Sequence, residues 1–284
     1  MKVKIFSDFC DPTGNLGALK SWGKGTQYRN VEFVDGDDYT HAVLLNSVTP
    51  ILNIDKKNIL QFLWEPYELL DINKIAKYAE SHKGYIVAHD RRLIGNHILY
   101  HIPYLSPLPL SSDHTKPKKN RMSIIASSKG YLNGHKLRHL IIQKILNSNL
   151  DIHIYGNGIK DVFRVNDTRI KGFIEHKPDA LSEYEYTISI ENTKYDYYLT
   201  EKFTDPIICG CVPLYWGANN VSSIFGSESH VDLPNSLNSD EIFEKIKDVY
   251  QNGSNKNPQI VYNRLKDDLN LPHYIWNHFN NVVK

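Results

Sequence analysis

The chain has 284 residues, 41% of them apolar and 23% charged, which allows a packed core and argues against wholesale disorder. Thirty-three basic against 32 acidic side chains leave a formal charge of +1, so no polyanion-attracting field exists and nucleic acid is not an expected partner. The three cysteines, Cys10, Cys209 and Cys211, are odd in number, which suits free thiols in a reducing compartment better than a disulfide framework.

The apolar run KVKIF (2–6) reads as a strand, followed by the turn-rich DPTGNLG as a loop that opens into a helix. VEFV (31–34), HAVLLNSV (41–48) and NILQFLWE (58–65) follow as further strands, then a helical segment through 68–82, then YIVAH (85–89) and HILYHIPYL (97–105). Short, continuously apolar strands alternating with connecting segments predict a parallel sheet covered on both faces. Residues 106–121 carry Pro107, Pro109 and Pro117 and read as an interdomain connection. Its basic cluster, Lys116, Lys118, Lys119 and Arg121, is expected to be a solvated linker rather than a localisation or polyanion signal.

A second α/β series begins with RMSIIAS (121–127). The helix GHKLRHLIIQKIL (134–146) comes next, with Leu137, Leu140, Ile141 and Ile145 near 3.6-residue spacing. Strands are expected at DIHIYG (151–156), YEYTISIEN (184–192) and VPLYWG (212–217), and helices near Thr200, as a short one at 240–250, and at 258–268. The longest charge-free run, 206–227, holds two prolines and three glycines, so no integral membrane span is expected. The opening MKVKIFSDF lacks a signal peptide's apolar stretch, and a cytoplasmic setting is the expectation. The organisation is therefore α/β in two halves, 1–115 and 116–284, with HYIWNHFNNVVK as a last segment that can fold back onto the first half. Two such halves imply a central cleft between them, where ligands bind outside the strands' carboxyl ends.

The chemistry concentrates in residues 184–217. A strand ends at Glu191-Asn192, an aromatic loop carries Tyr195, Tyr197 and Tyr198, and a helix opens at Thr200-Glu201-Lys202. The Thr200 hydroxyl can cap the helix start, whose N–H groups and dipole favour an anion. Lys202 in the first turn suits a phosphate placed there; an ordinary solvated helix end is the plainer alternative. Pro206 implies either a kink in this helix, or a separate turn at 200–204 with Asp205 capping a new helix, and the second is the expectation.

The pattern Glu191-Asn192, Tyr198, Thr200-Glu201-Lys202, Asp205, Gly210, Val212-Pro213 and Tyr215-Trp216-Gly217 resembles the donor-binding signature of the α-1,3-fucosyltransferases, glycosyltransferase family 10. Upstream, ASSKG and HKLRHLIIQKIL resemble that family's strand, loop and arginine-bearing helix, with Ser127-Ser128 where the family has Ser-Asn. LWEPYE (63–68) is similar to the segment with a catalytic carboxylate. The resemblance implies a GT-B architecture of two Rossmann-like lobes, the N-terminal one for an acceptor sugar and the C-terminal one for GDP-fucose. It implies inverting transfer of L-fucose to a hydroxyl of an oligosaccharide acceptor (the 3-OH of N-acetylglucosamine or glucose), with no cofactor and no metal.

On this resemblance Glu65 is the base, with Glu68 next in line, and Arg138 and Lys202 meet the diphosphate. Glu201 lies near the sugar ring. Donor binding is expected from Asn192, Tyr198, Thr200 and Glu191, and from Tyr184, Tyr155, Gly156 and Ser127. Other constellations have plainer readings. Asp35-Gly36-Asp37 is a turn rather than a metal motif, and His135 and His139 are surface or cleft histidines. His97 and His101 take no metal, and Cys209 and Cys211 are buried thiols.

Overall fold

The structure, a computed structural model, describes residues 1–21, 25–82, 84–89, 91–93, 95, 98–100 and 117–282. His97, His101, Lys116, the proline-rich part of the connection and residues 101–105 of the HILYHIPYL strand lie outside the described residues. The chain divides into two compact units. Unit 1 comprises Met1–Ser111, Tyr195–Tyr198 and Leu265–Lys284, and unit 2 comprises Ser112–Lys194 and Leu199–Arg264.

Unit 1 contains β1 (Lys2–Ser7), α1 (Pro12–Ser21), β2 (Gln27–Tyr28), β3 (Val31–Val34), β4 (His41–Leu45), β5 (Ile59–Phe62), α2 (Ile72–His82), β6 (Tyr85–Ala88) and β7 (Ile98–Tyr100). Their order in the sheet is β2-β3-β1-β4-β5-β6-β7. β2 pairs antiparallel with β3 and the other pairings are parallel. Ala42, Val43, Leu44 and Leu45 of β4 are all buried, as a sheet covered on both faces requires. The DPTGNLG run does not form the expected loop. α1 begins at Pro12, because Asp11 Oδ1 accepts the Gly14 N–H at 2.7 Å and proline suits a first helical position. α2 begins at Ile72, later than expected, after a 3-10 turn at Tyr67–Leu69. The helix Leu271–Asn277 belongs to this unit, and Leu271 and Ile275 join a core with Val3, Phe62 and Val87.

Unit 2 contains β8 (Asn120–Ile125), α3 (Asn133–Leu146), β9 (Ile152–Tyr155), α4 (Ile159–Phe163), β10 (Ile170–Gly172), β11 (Tyr184–Ile190), α5 (Glu201–Ile208), β12 (Val212–Trp216), α6 (Val221–Phe225), β13 (Val231–Asp232) and α7 (Ser239–Asn252). The chain leaves it through α8 (Gln259–Asp267). Its sheet is parallel with order β10-β9-β8-β11-β12-β13. Met122, Ile124, Ile188 and Leu214 pack with Leu137 and Ile141 of α3 and Ile246 of α7.

Four expectations are corrected here. Leu140 of α3 is 50% exposed, and Ile142 takes a core place instead. The helix expected at 240–250 runs 14 residues, because the Asn238 side chain caps it by accepting the Asp240 N–H at 3.0 Å. Lys118 and Arg121 are not solvated linker charges. Lys118 Nζ donates to the Ser182 and Cys209 carbonyls, each at 2.8 Å, while Arg121 pairs with Glu185 and donates to the Tyr250 carbonyl. Finally, residues 201–208 form one helix. Pro206 lacks only the N–H that would have reached the Lys202 carbonyl, and the buried Phe203 and Ile207 hold the helix together across it. Cys209 and Cys211 are free and buried, as expected, although neither lies on a strand.

Arg169 ties off α3. Its guanidinium donates to the carbonyls of Ile145, Leu146, Ser148 and Leu150 at 2.8–3.0 Å, which satisfies the open end of the helix. The hydrogen bond from Arg169 holds the Asp167 carboxyl down, from 3.8 to about 2. A depressed carboxylate stabilises the fold above its unfolded pKa, and that contribution fades as pH falls toward the folded value. Asp167→Asn is therefore expected to lose on the order of 1 kcal/mol at neutral pH. In urea unfolding the gap from the parent protein should narrow as pH is lowered from ~5 to ~3.

Candidate active site

In unit 2 the strand order reverses between β8 and β11, and ligands of such sheets bind at the carboxyl ends flanking the reversal. The loop after β8 carries Ser127, the loop after β9 carries Gly156, and β11 leads into Glu191 and Asn192. These loops are laced together. Ala126 N–H donates to the Tyr155 carbonyl at 2.9 Å, and Ser128 N–H to that of Asn157 at 3.0 Å. A Cβ on Gly156 would lie 1.4 Å from the Ala126 carbonyl oxygen, and its φ of 137° suits glycine alone. At the start of α3, a Cβ on Gly134 would lie 1.7 Å from the Glu191 carbonyl oxygen, so only glycine lets helix and strand end meet.

Glu191 is fully buried. Its carboxylate accepts the Thr200 N–H at 2.9 Å, the Thr200 hydroxyl at 2.7 Å and the Tyr215 hydroxyl at 3.4 Å. Burial pushes this carboxyl up, against the pull of Lys202. Thr200 in turn caps α5, accepting the Lys202 N–H at 3.3 Å. Glu191, expected as a donor contact, therefore works as the internal fastening of α5.

Beyond the cap, charges alternate. Lys202 Nζ lies 3.0 Å from Glu201 Oε1, Lys177 Nζ 3.5 Å from the same oxygen, and Lys177 also pairs with Asp205 at 2.9 Å. Burial opposes the Glu201 charge, yet Lys202 and Lys177 outweigh it and hold the carboxyl far below the ordinary carboxylate range. The Glu201 and Lys202 side chains are each 26% exposed, so this is no ordinary solvated helix end.

Arg138 is buried. It donates to the Ile190 carbonyl and, at 2.9 Å, to Asn192 Oδ1. His135, one turn earlier, is buried rather than a surface residue, and burial with the cations Arg138, Lys202 and Lys129 pushes its pKa down to about 4. Sequence spacing missed Lys129 and Lys177, since their relevance comes from tertiary proximity.

Three expected donor residues are engaged with other side chains of the protein. Tyr184 opens β11, at the end opposite Glu191, and its buried hydroxyl meets Tyr155 Oη and His153 Nδ1, each at 2.7 Å. Tyr155 shares that network. Tyr198 belongs to unit 1 and is buried, its ring 4.9 Å from that of His89.

In unit 1, Glu65 follows β5 and is half-buried. Asn46, in a left-handed conformation at φ 56°, fixes the backbone there. Its Oδ1 accepts the N–H groups of Trp64 at 2.8 Å and Glu65 at 3.1 Å. Glu68, the alternative base, is exposed and accepts a hydrogen bond from the Tyr195 hydroxyl. Asp37 of the Asp-Gly-Asp turn pairs with Lys4 at 3.0 Å. Among the described residues, no group of three His, Cys, Asp or Glu side chains is placed to hold a metal.

The family model described as "Glycosyltransferase family 10 (fucosyltransferase) C-term" matches residues 116–272, more than half of the chain. The chain belongs to glycosyltransferase family 10. An alpha-(1,3)-fucosyltransferase, FucT, from Helicobacter pylori is 34% identical over 74 residues, 26% of this family-10 chain and 16% of that protein. An alpha-(1,4)-fucosyltransferase from Arabidopsis thaliana is 38% identical over 58 residues, 20% of this chain and 14% of that protein. These matches thus span less than a fifth of either relative.

A crystal structure of an alpha1,3-fucosyltransferase with GDP matches with a TM-score of 0.56 at 16% identity, covering 100% of this chain and 90% of that one. An alpha-glucosyltransferase solved with UDP and DNA matches at 0.54 and 11% identity, covering 100% and 99%. Two parallel-stranded α/β sheets and these likenesses establish the GT-B fold class for this family-10 chain. Among its described residues, no helix is long and apolar enough to cross a membrane.

Glu191→Ala would strand the Thr200 N–H and hydroxyl in a buried place, at an expected cost of about 3 kcal/mol. Urea unfolding should register that loss, and hydrogen exchange should show faster exchange of the Thr200 and Lys202 amides.

Proposed function

We propose that this family-10 chain is an inverting fucosyltransferase that moves L-fucose from GDP-β-L-fucose to a hydroxyl of an acceptor glycan. The observation that carries the reading is the placing of Arg138, 2.9 Å from Asn192 Oδ1, and of Lys202, in the Thr200-capped first turn of α5, at the strand-order reversal of unit 2. Family membership supports the fucosyl donor, and likeness to an alpha-(1,3)-fucosyltransferase supports a 1,3 linkage, for which the 3-OH of an N-acetylglucosamine or glucose unit is the acceptor proposed. Free buried cysteines support a cytoplasmic setting.

In this reading Glu65 removes the acceptor hydroxyl proton as that oxygen attacks the anomeric carbon. The bond from that carbon to the β-phosphate oxygen breaks, and GDP departs with the electron pair. Arg138, Lys202 and the N–H groups opening α5 meet the charge that grows on the diphosphate, so the reading calls on no metal or cofactor. Glu201, kept ionised by two lysines, is able to accept hydrogen bonds from sugar hydroxyls as the ring gains positive character.

Three measurements test the reading. Lys202→Ala should weaken GDP binding in calorimetric titration and slow transfer by about 100-fold. Glu65→Gln should abolish transfer while leaving GDP affinity unchanged, and full activity in that variant would remove the base assignment. Bound GDP should offset the cations that add to the effect of burial on His135, so its NMR titration should move upward from about 4. A titration unchanged by saturating GDP would count against the anion site.

A further inference from the structure

We propose that the stacked pair Phe9 and Trp64 is the platform that takes a hexopyranose ring of the acceptor; the proposal rests on the transferase reading above. Unit 1 has its own strand-order reversal, between β1 and β4, each of which pairs with the other and with a different outer neighbour. The loops leaving these two strands are where a ligand of such a sheet is expected. They carry Asp8 and Phe9 after β1, and Asn46 and Ser47 after β4.

The two loops are fastened to each other. Asp8 Oδ2 accepts the Ser47 N–H at 3.0 Å, and Asp8 Oδ1 accepts from Asn46 Nδ2 at 3.4 Å. Ser7 Oγ closes the first loop by accepting the Cys10 N–H at 3.0 Å and donating to the Cys10 carbonyl at 2.7 Å. Phe9 is thus held on a closed turn, yet it is 60% exposed. Its ring stacks on Trp64 with centroids 6.2 Å apart and planes inclined by 24°. Trp64 is backed by Phe62 of the core at 6.5 Å, and Asn46 Oδ1 accepts the backbone N–H groups of Trp64 and Glu65.

The result is an aromatic surface that ends on the residue before the proposed base, backed by Phe62, with the exposed carboxylate of Asp8 next to Phe9 in the chain. Exposing a phenylalanine forgoes the stabilisation that burying it would contribute, so a ligand that covers the ring recovers part of it. A pyranose suits the surface. One face of the ring presents C–H groups that pack on an aromatic plane, while its hydroxyls at the edge meet carboxylate and amide groups.

The test uses lactose and N-acetyllactosamine as probes in saturation-transfer NMR, with GDP affinity measured on the same samples. Wild-type protein should transfer saturation to the C–H protons of the probe sugar. Phe9→Ala should weaken probe binding about tenfold, Phe9→Trp should restore it, and GDP affinity should be unchanged in both. Phe9 is mostly solvated, so these variants leave the core untouched. Equal probe signals in wild-type and Phe9→Ala protein would overturn the platform, as would an absent probe signal in wild-type protein that binds GDP. Wild-type protein that binds no GDP would instead sink the transferase reading.

Discussion

One buried carboxylate sets the geometry of unit 2. Glu191 leaves β11 with no exposed surface, and an unpaired charge there would be prohibitively costly. The cost is offset because both oxygens are spoken for, by the N–H and hydroxyl of Thr200, with Tyr215 behind them. Those same bonds fix where α5 begins. The placement of Lys202 and Glu201 is a consequence, since each lies within the first turn after the cap. Removing water from this corner also strengthens the alternating lysine–carboxylate chain that runs on to Lys177 and Asp205.

The strands were the most legible part of the amino-acid pattern. HAVLL, ILQF and VPLYW are mostly apolar runs, as a sheet buried on both faces asks. The helix at Thr200 was equally readable from its hydroxyl cap. Pro206 misled, because the rule against interior proline weighs the missing N–H and not the eight-residue length or the packing of Phe203 and Ile207. Leu140 misled because a regular spacing does not say which side of the stripe is the edge. The polar fastenings were invisible. Nothing local in the sequence marks Asn46 as the residue that holds the backbone of Glu65, or Lys118 as the tie between two carbonyls far apart in the chain.

The candidate site shows the same division. The residues that look most chemical in sequence, Glu191 and Arg138, spend their hydrogen bonds largely on the protein itself, fixing the helix start and the end of β11. His135, expected only as a surface or cleft histidine, is buried beside them, and burial together with Arg138, Lys202 and Lys129 holds its pKa down. A family signature of this kind therefore mixes residues that reach outward with residues that hold those in place, and only the hydrogen-bond partners separate them.

Unit 1 is assembled from three stretches of chain, and its core takes Leu271 and Ile275 from the last of them. During synthesis the first sheet therefore waits, with Phe62 and Val87 uncovered on one side, until every residue of the later unit has been made. Unit 2 has no such dependence on a later stretch, so the half encoded second is free to mature first.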